Sequence, residues 1–449
     1  MSSAEPAEES LTRSQAVTTE RGRRGSTAAA TSADGARTDD VVLTGGVALP
    51  RTSPRVDKPG GTLGARFYVL VAISGVTFGM TYVQAVGVAH ALGASTVLAG
   101  VLVSMMAVTM FGMDLVGARF VPRLEGRFGL SASMVIYGAG NLLVGFGRSL
   151  WMMAAGRLFE GIGVAVFMTL GVQLVIRLSE PQRRGRAIGT FNAAWFLGIA
   201  VGPPFGGWLA TLSARPGAQL AFIGCGVISC LTAILLRTTM QRYPSPLRPE
   251  FALPRLRSVH GRRLWSAVTL GGLGEAMRDG IQMVLIPLAA TQLGMSPLAA
   301  GVAIGALTVA DVISMQLSGR AGDRFGRAPV LIIASLSGIA VLLASPAVQV
   351  PVALVVLCVL MGPSQAAIWV VPPAMVSDLA EDREAAVCAY RLATDVAFGC
   401  GTTGAAIIGS ALGGTAGLAA AAGGFIVAIV LTLAVGETNP LTARRLRTA

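Results

Sequence analysis

Charge is scarce in this chain. Only 13% of its 449 residues are Asp, Glu, Lys or Arg, about half the ~25% of a typical soluble domain. A chain that is 53% hydrophobic, with long apolar runs, is built for a lipid bilayer rather than an aqueous globule. Lysine is nearly missing: Lys58 is the only one, so the formal net charge of +12 is carried by arginine. Those arginines sit in short gaps between apolar runs and form no single basic face, which argues against a nucleic-acid partner. Histidine is limited to His90 and His260, too few for a metal centre. The five cysteines (Cys225, Cys230, Cys358, Cys388, Cys400) lie in apolar segments without CxxC spacing, which predicts buried, unpaired thiols. No GxxxxGK[ST] phosphate loop is present, which disfavours a primary pump. No catalytic triad or metal ligand set appears either, so neither an enzyme activity nor a cofactor is expected.

What is present is apolar sequence in span-length pieces. Residues 1–66 are rich in Ser, Ala, Thr, Glu and Arg and lack an apolar run of signal-peptide length; they read as a disordered cytoplasmic tail. A crossing needs ~20 mostly apolar residues, and twelve such stretches follow from Phe67 onward. The expected fold is an all-α integral membrane protein, with twelve transmembrane helices in two six-helix pseudo-symmetric bundles. Those bundles are placed at 67–237 and 264–436. The linker 238–263 ("RYPSPLRPEFALPRLRSVHGRR" within it) and the tail 437–449 are placed in the cytoplasm. Arginines follow the even-numbered spans, at Arg123/Arg127, Arg183/Arg184/Arg186, Arg255/Arg257/Arg262/Arg263, Arg324/Arg327, Arg383 and Arg444/Arg445/Arg447, whereas the opposite loops carry little beyond Arg148 and Arg215. The positive-inside bias therefore puts both termini in the cytoplasm of a multi-pass protein of the cell membrane.

A repeat supports the division into halves. "LGASTVLAG" (92–100) enters span 2 and "LGMSPLAAG" (293–301) enters span 8; "PRLEGRFG" (122–129) and "GRAGDRFG" (319–326) follow those same spans. Two parallel six-span repeats are one way to build alternating access around a midplane site.

Three motifs carry chemistry. "GRAGDRFGR" contains Gly319, Asp323, Arg324, Gly326 and Arg327; the two glycines allow a tight turn between helices, and Asp323 can pair with either arginine. In the first copy Gly126 stands at the Asp position, with Glu125 before it. Arg157 and Glu160 are three apart in span 4, on one helical face where they can pair. "GIAVGPPFGG" places Gly198, Gly202 and Gly206 four residues apart, a smooth face for close helix packing. Pro203 removes one backbone bond and is expected to bend the helix there.

Together these residues resemble the major facilitator superfamily, over everything after the tail. The loop signature is that family's conformational latch, which leaves latching by the first-half copy open. Arg157, Glu160 and Gly161 match its fourth-span pattern, where the arginine is linked to proton transfer. Gly198, Gly202, Pro203, Gly206 and Gly207 meet every defined position of GxxxGPxxGG, the pattern of proton-coupled exporters. Close packing alone, with no bearing on direction, is the competing account of these glycines. The resemblance implies the twelve-spanning drug:proton antiporter group, with a small-molecule substrate and protons as partners, acting as a monomer.

Charges inside a bilayer are costly and functional by default, and a carboxylate in a dry cavity is a natural reversible proton carrier. Glu275 and Asp311 lead that list, followed by Asp114 and Glu160. Counting from the loop position, Asp114 and Asp311 both fall near mid-depth at ~18 Å. In span 7, Glu275 lies three residues from Arg278 and four from Asp279, a compact charged cluster; in span 11, Arg391 and Asp395 are spaced as a structural i,i+4 pair. Tyr82, Phe167, Arg278, Asp279, Gln365 and Trp369 are the substrate-cavity candidates, joined by Phe78, Phe159 and Trp195 with ordinary packing as the alternative. Gln365 and Trp369, one turn apart in span 10, could face substrate together, and the prolines of "GPSQAAIWVVPP" predict a bent or broken helix. Two other readings stay open: a nutrient importer or symporter of the same fold, and a non-transporting membrane receptor or scaffold. Buried carboxylates on several spans weigh against the last.

Overall fold

The computed structural model describes residues 63–120, 126–179, 183–212, 219–241 and 258–439. The tail through residue 62, most of the linker, the first-half loop with Glu125 and residues 440–449 lie outside them. Every described secondary element is helical. In lipid no water satisfies backbone N–H and C=O groups, so a run of ~20 apolar residues must satisfy them internally.

The helices are α1 (Ala65–Met80), α2 (Gln84–Ala91), α3 (Thr96–Phe120), α4 (Gly126–Phe146), α5 (Leu150–Leu178), α6 (Arg184–Thr211) and α7 (Gln219–Met240) in the first half. In the second half they are α8 (Arg262–Gly280), α9 (Ile286–Gln292), α10 (Pro297–Phe325), α11 (Arg327–Leu343), α12 (Pro351–Leu379), α13 (Arg383–Leu412) and α14 (Gly414–Val435). Ten of them are long and apolar enough to cross a membrane, and α1 with α2, bent by 42° at their junction, makes an eleventh. The remaining expected crossing, span 7, runs from α8 through a π turn at Ile281–Leu285 into α9. It carries Arg262, Arg263, Glu275, Arg278 and Asp279, too much charge for a span recognised by apolar composition.

Both interruptions have local causes. Pro287 lacks an N–H, and its ring crowds the carbonyl four residues back at Met283, in the middle of the π turn. The repeat copies are offset by 201 residues (293 minus 92), which carries Thr81–Val83 onto Gln282–Val284. The first and seventh crossings are thus interrupted at the same register. Prolines elsewhere do less. α6 runs through Pro203 and Pro204, and α12 through Pro363, Pro372 and Pro373. Of the bent or broken helix expected in span 10, the break is therefore absent; neighbouring helices shield and re-satisfy freed backbone groups in a bundle.

The helix pairing repeats. α1 packs on α6, α4 on α5 and α7, and α3 on α5; correspondingly α8 packs on α13, α11 on α12 and α14, and α10 on α12. The halves meet along two long seams, α6 against α10 and α3 against α13. All five cysteines are free, but Cys400 is exposed and Cys230 and Cys388 only partly buried. The expectation of uniform burial fails because parts of α7 and α13 face outward.

Candidate functional site

The matched interruptions converge on one place. A narrow void, about large enough for a single water, is lined by Thr81 and Tyr82 at the first break, Met283 in the π turn, and Met106, Tyr137 and Arg157. Interrupted helices at corresponding positions of two repeats are a pointer to a transporter's binding site. Arg157 sits at this cavity with its Nη1 2.6 Å from Glu160 Oε2, the pair almost fully buried. Arg157 also donates through Nη2 to the Val103 carbonyl at 3.5 Å, which ties α5 to α3.

A second group of charges lies on the other half. Arg278 Nη2 donates to Asp311 Oδ2 at 2.6 Å, both side chains buried. The guanidinium lies over two aromatic rings, 5.5 Å from the Phe196 centroid and 5.4 Å from that of Trp369. These two rings meet edge to face at 5.1 Å, so a first-half residue on α6 closes over a second-half cation. A cation over aromatic rings is stabilised by their quadrupoles most when water is excluded. Trp369 Nε1 donates to Glu275 Oε2 at 2.8 Å, and Gln282 Nε2 donates to Gln365 Oε1 at 2.9 Å. Asp279 is 6% exposed and its Oδ2 has no partner. It faces Tyr82, which is also within electrostatic reach of Arg278, Glu275 and Arg157.

Several pairings differ from those that spacing alone suggests. Arg278 pairs with Asp311 across helices, not with Glu275 along its own. Gln365 and Trp369 each bind a span 7 side chain rather than an open cavity. Asp311 is at the centre of α10, fourteen residues from either end. Asp114 lies eighteen residues into α3, counted from Thr96. Its partner is Arg391, whose Nε and Nη2 contact its carboxylate at 2.5 and 3.0 Å. Arg391 therefore bridges to the other half rather than closing a local pair with Asp395. Phe167 packs on Phe191 and Trp195 inside the first half, beside a second narrow void that also touches Phe78 and Tyr137. Phe159 is 46% exposed and points away from the core. Phe196 and Gln282 belong to the site and were not anticipated; Gln282 could have been noticed as a lone amide in an apolar run.

The glycine motif of α6 works on two faces. A Cβ at Gly198, Gly202 or Gly206 would strike the backbone of α1 at Ala72 to Val76, Gly79 and Met80 respectively. A Cβ at Gly207 would strike Pro297 and Leu298, and one at Gly301 would strike the carbonyl of Pro203. The first face binds a helix of the same half, whereas the second makes the seam with α10. Only glycine permits both approaches at once.

At the loop signature, Gly319 lies inside α10 and only Gly326, at φ 103°, makes the turn. The two-glycine turn is corrected accordingly, since helix α10 persists to Phe325. Arg327 Nε binds Asp378 at 2.6 Å, whereas its Nη1 is 3.8 Å from an exposed Asp323. Arg324 lies over the Phe325 ring at 5.2 Å. Glu437 accepts from the backbone N–H groups of Arg327 and Ala328 at 3.0 and 3.1 Å. Asn439 Nδ2 donates to the carbonyls of Gly322 and Asp323 at 3.2 and 2.9 Å. The first residues of the C-terminal tail thus cap α10 and α11, since helix ends leave such groups unsatisfied.

Two helical halves, two seams and buried charges at matched helix breaks are the features that the family comparison has to explain. The chain belongs to the major facilitator superfamily, whose family model, "Major Facilitator Superfamily", matches residues 67–277 and 264–448. A bacterial homolog of the human lysosomal transporter Spinster, solved in an inward-facing and occupied conformation, is similar in fold with a TM-score of 0.72 at 14% identity, over 82% of this chain and 95% of that one. Among curated relatives, the uncharacterized MFS-type transporter YhhS of Salmonella enteritidis is 32% identical over 152 residues, covering 32% of this chain and 36% of that protein. Multidrug resistance protein 1 of Bacillus subtilis is 25% identical over 142 residues, covering 32% and 36%. The matched segment spans about a third of the length of these relatives.

Proposed function

We propose that this chain exports a small organic molecule in exchange for protons, as a monomer in the cell membrane with both termini cytoplasmic. One observation carries the reading: two helix interruptions at equivalent positions enclose buried acids and arginines of both halves. Glu275 and Asp311 are the proton carriers of choice, because each holds a single strong donor that a proton can replace. Protonating Asp311 loosens Arg278, and protonating Glu275 weakens its hold on Trp369, so proton binding changes the aromatic and cationic surface available to substrate. Arg157 and Glu160 provide a second ionic pair on the first-half wall, and Tyr82, Asp279 and Gln365 supply polar contacts. The GxxxGPxxGG helix supports the export direction through family resemblance, and the name of the Bacillus subtilis relative is compatible with it.

The test is transport in inverted membrane vesicles with an imposed pH gradient, using ethidium as the first fluorescent probe in a wider panel. Export predicts probe uptake that dissipates the gradient and releases protons from the lumen. Uptake that proceeds only when no gradient is imposed would rule the exchange out.

A further inference from the structure

The seam between α3 and α13 holds a group of charges away from the matched helix breaks. Asp114 on α3 accepts two hydrogen bonds from Arg391 on α13. One turn further along α13 stands Asp395, 5% exposed. Its carboxyl faces that of Asp114 at hydrogen-bonding range, while its Oδ2 finds no donor. Two carboxyl groups brought together in this way lack one thing, a proton between them. Among the described residues the set is two carboxylates and one guanidinium, a net negative charge in a largely buried seam that one proton makes neutral.

We propose that Asp114 and Asp395 form a second proton-binding site, and that one proton shared there, with Arg391 alongside, holds the arginine-rich ends of α3 and α13 together. The step is simple protonation: a carboxylate oxygen takes a proton from solution, and no bond between heavy atoms forms or breaks. Among the described residues the other groups facing the site are Cys388 on α13 and, from α8, Glu275; Tyr390 on α13 points to α8 instead, against Gly271. When the seam opens, Asp114 leaves, water reaches Asp395, and Arg391, one turn away, can neutralise it directly. The proton is then released. Closure is therefore linked to proton uptake and opening to proton loss, and higher pH favours opening.

Hydrogen–deuterium exchange on the full-length protein in detergent, corrected for intrinsic exchange rates, reads this without substrate or gradient. It therefore succeeds or fails independently of whether export is proton-coupled. In the wild type, amide protection of α3 and α13 at the arginine-rich end should fall about tenfold from mildly acidic to mildly alkaline buffer, as one proton of tenfold differential affinity requires. Asp395→Asn and Asp114→Asn each leave one acid facing one arginine, so in either variant protection should no longer depend on pH. If one of them does not purify as a monodisperse protein, the other still decides. A wild type with pH-independent protection, or variants that keep the wild-type titration, would overturn the proposal.

Discussion

The two seams that join the halves are equivalents in the repeat, yet they are built from opposite materials. Along α6 and α10 the contact is backbone on backbone: Gly207 against Pro297, Pro203 against Gly301, and Ala200 with Pro204 against Gly305. Along α3 and α13 small residues serve only part of the length, with Gly100 against Thr402 and Ala406, and Gly399 against Ala107. The arginine-rich end of that seam is ionic, through Asp114 and Arg391. Close apolar contacts in lipid depend on shape, because lipid tails solvate an apolar surface as well as another helix does. An ion pair depends on charge and water, and so responds to protons. The difference teaches that one seam can act as a shaped pivot and the other as a switch.

The sharpest way to break this comparison is to spoil the shape. Gly207→Leu or Gly301→Leu forces a side chain into opposing backbone, where relaxation is small. Each should lose more than the ~1–3 kcal/mol of ordinary overpacking, read as aggregation in size-exclusion chromatography or a collapsed thermal transition. Leucine at Gly404, where an added Cβ meets nothing nearby, should be tolerated.

Next in size is the ionic seam. Arg391→Gln leaves two carboxyl groups without their cation and should cost about 1–3 kcal/mol, less than the ~3–5 kcal/mol of a fully buried broken pair because Arg391 is partly exposed. The swap of Asp114→Arg with Arg391→Asp should recover part of that loss. A double-mutant cycle by thermal unfolding measures the coupling; additivity would show that the pair does not hold the seam.

A smaller effect on stability, with a large one on transport, is expected in the central cluster. In Glu275→Gln the amide oxygen still accepts from Trp369, so stability should change by less than ~1 kcal/mol. Proton-driven flux should be lost; intact flux would remove Glu275 as a carrier. Smallest of all, Glu437→Ala removes the cap of α11 and should cost about 1 kcal/mol, visible in the melting curve but not in proton coupling.

Much of the architecture was legible from hydropathy because span length is set by the bilayer rather than by local preference. The interruptions of spans 1 and 7 were not, because Thr81–Val83 and Ile281–Leu285 sit inside apolar runs. The prolines of α12 misled in the other direction, since a rule from water-exposed helices overstates their effect inside a bundle. Site partners were the least legible part. Spacing could join Arg157 to Glu160, three residues apart, but Asp114 and Arg391 are 277 residues apart and Glu275 and Trp369 are 94 apart. Local arithmetic gave Arg391 to Asp395 because it cannot see the helix that packs opposite.

The account rests on the two ends of the seams opening in alternation, and spin-label distances test that most directly. In a background with the native cysteines replaced, one label pair at Leu115 and Arg383 reports the ionic end of α3 and α13. A second pair at Leu212 and Leu298 reports the opposite end, at α6 and α10. Raising the pH should lengthen the first distance and shorten or preserve the second. Two distances that lengthen together, or a first distance indifferent to pH, would contradict it.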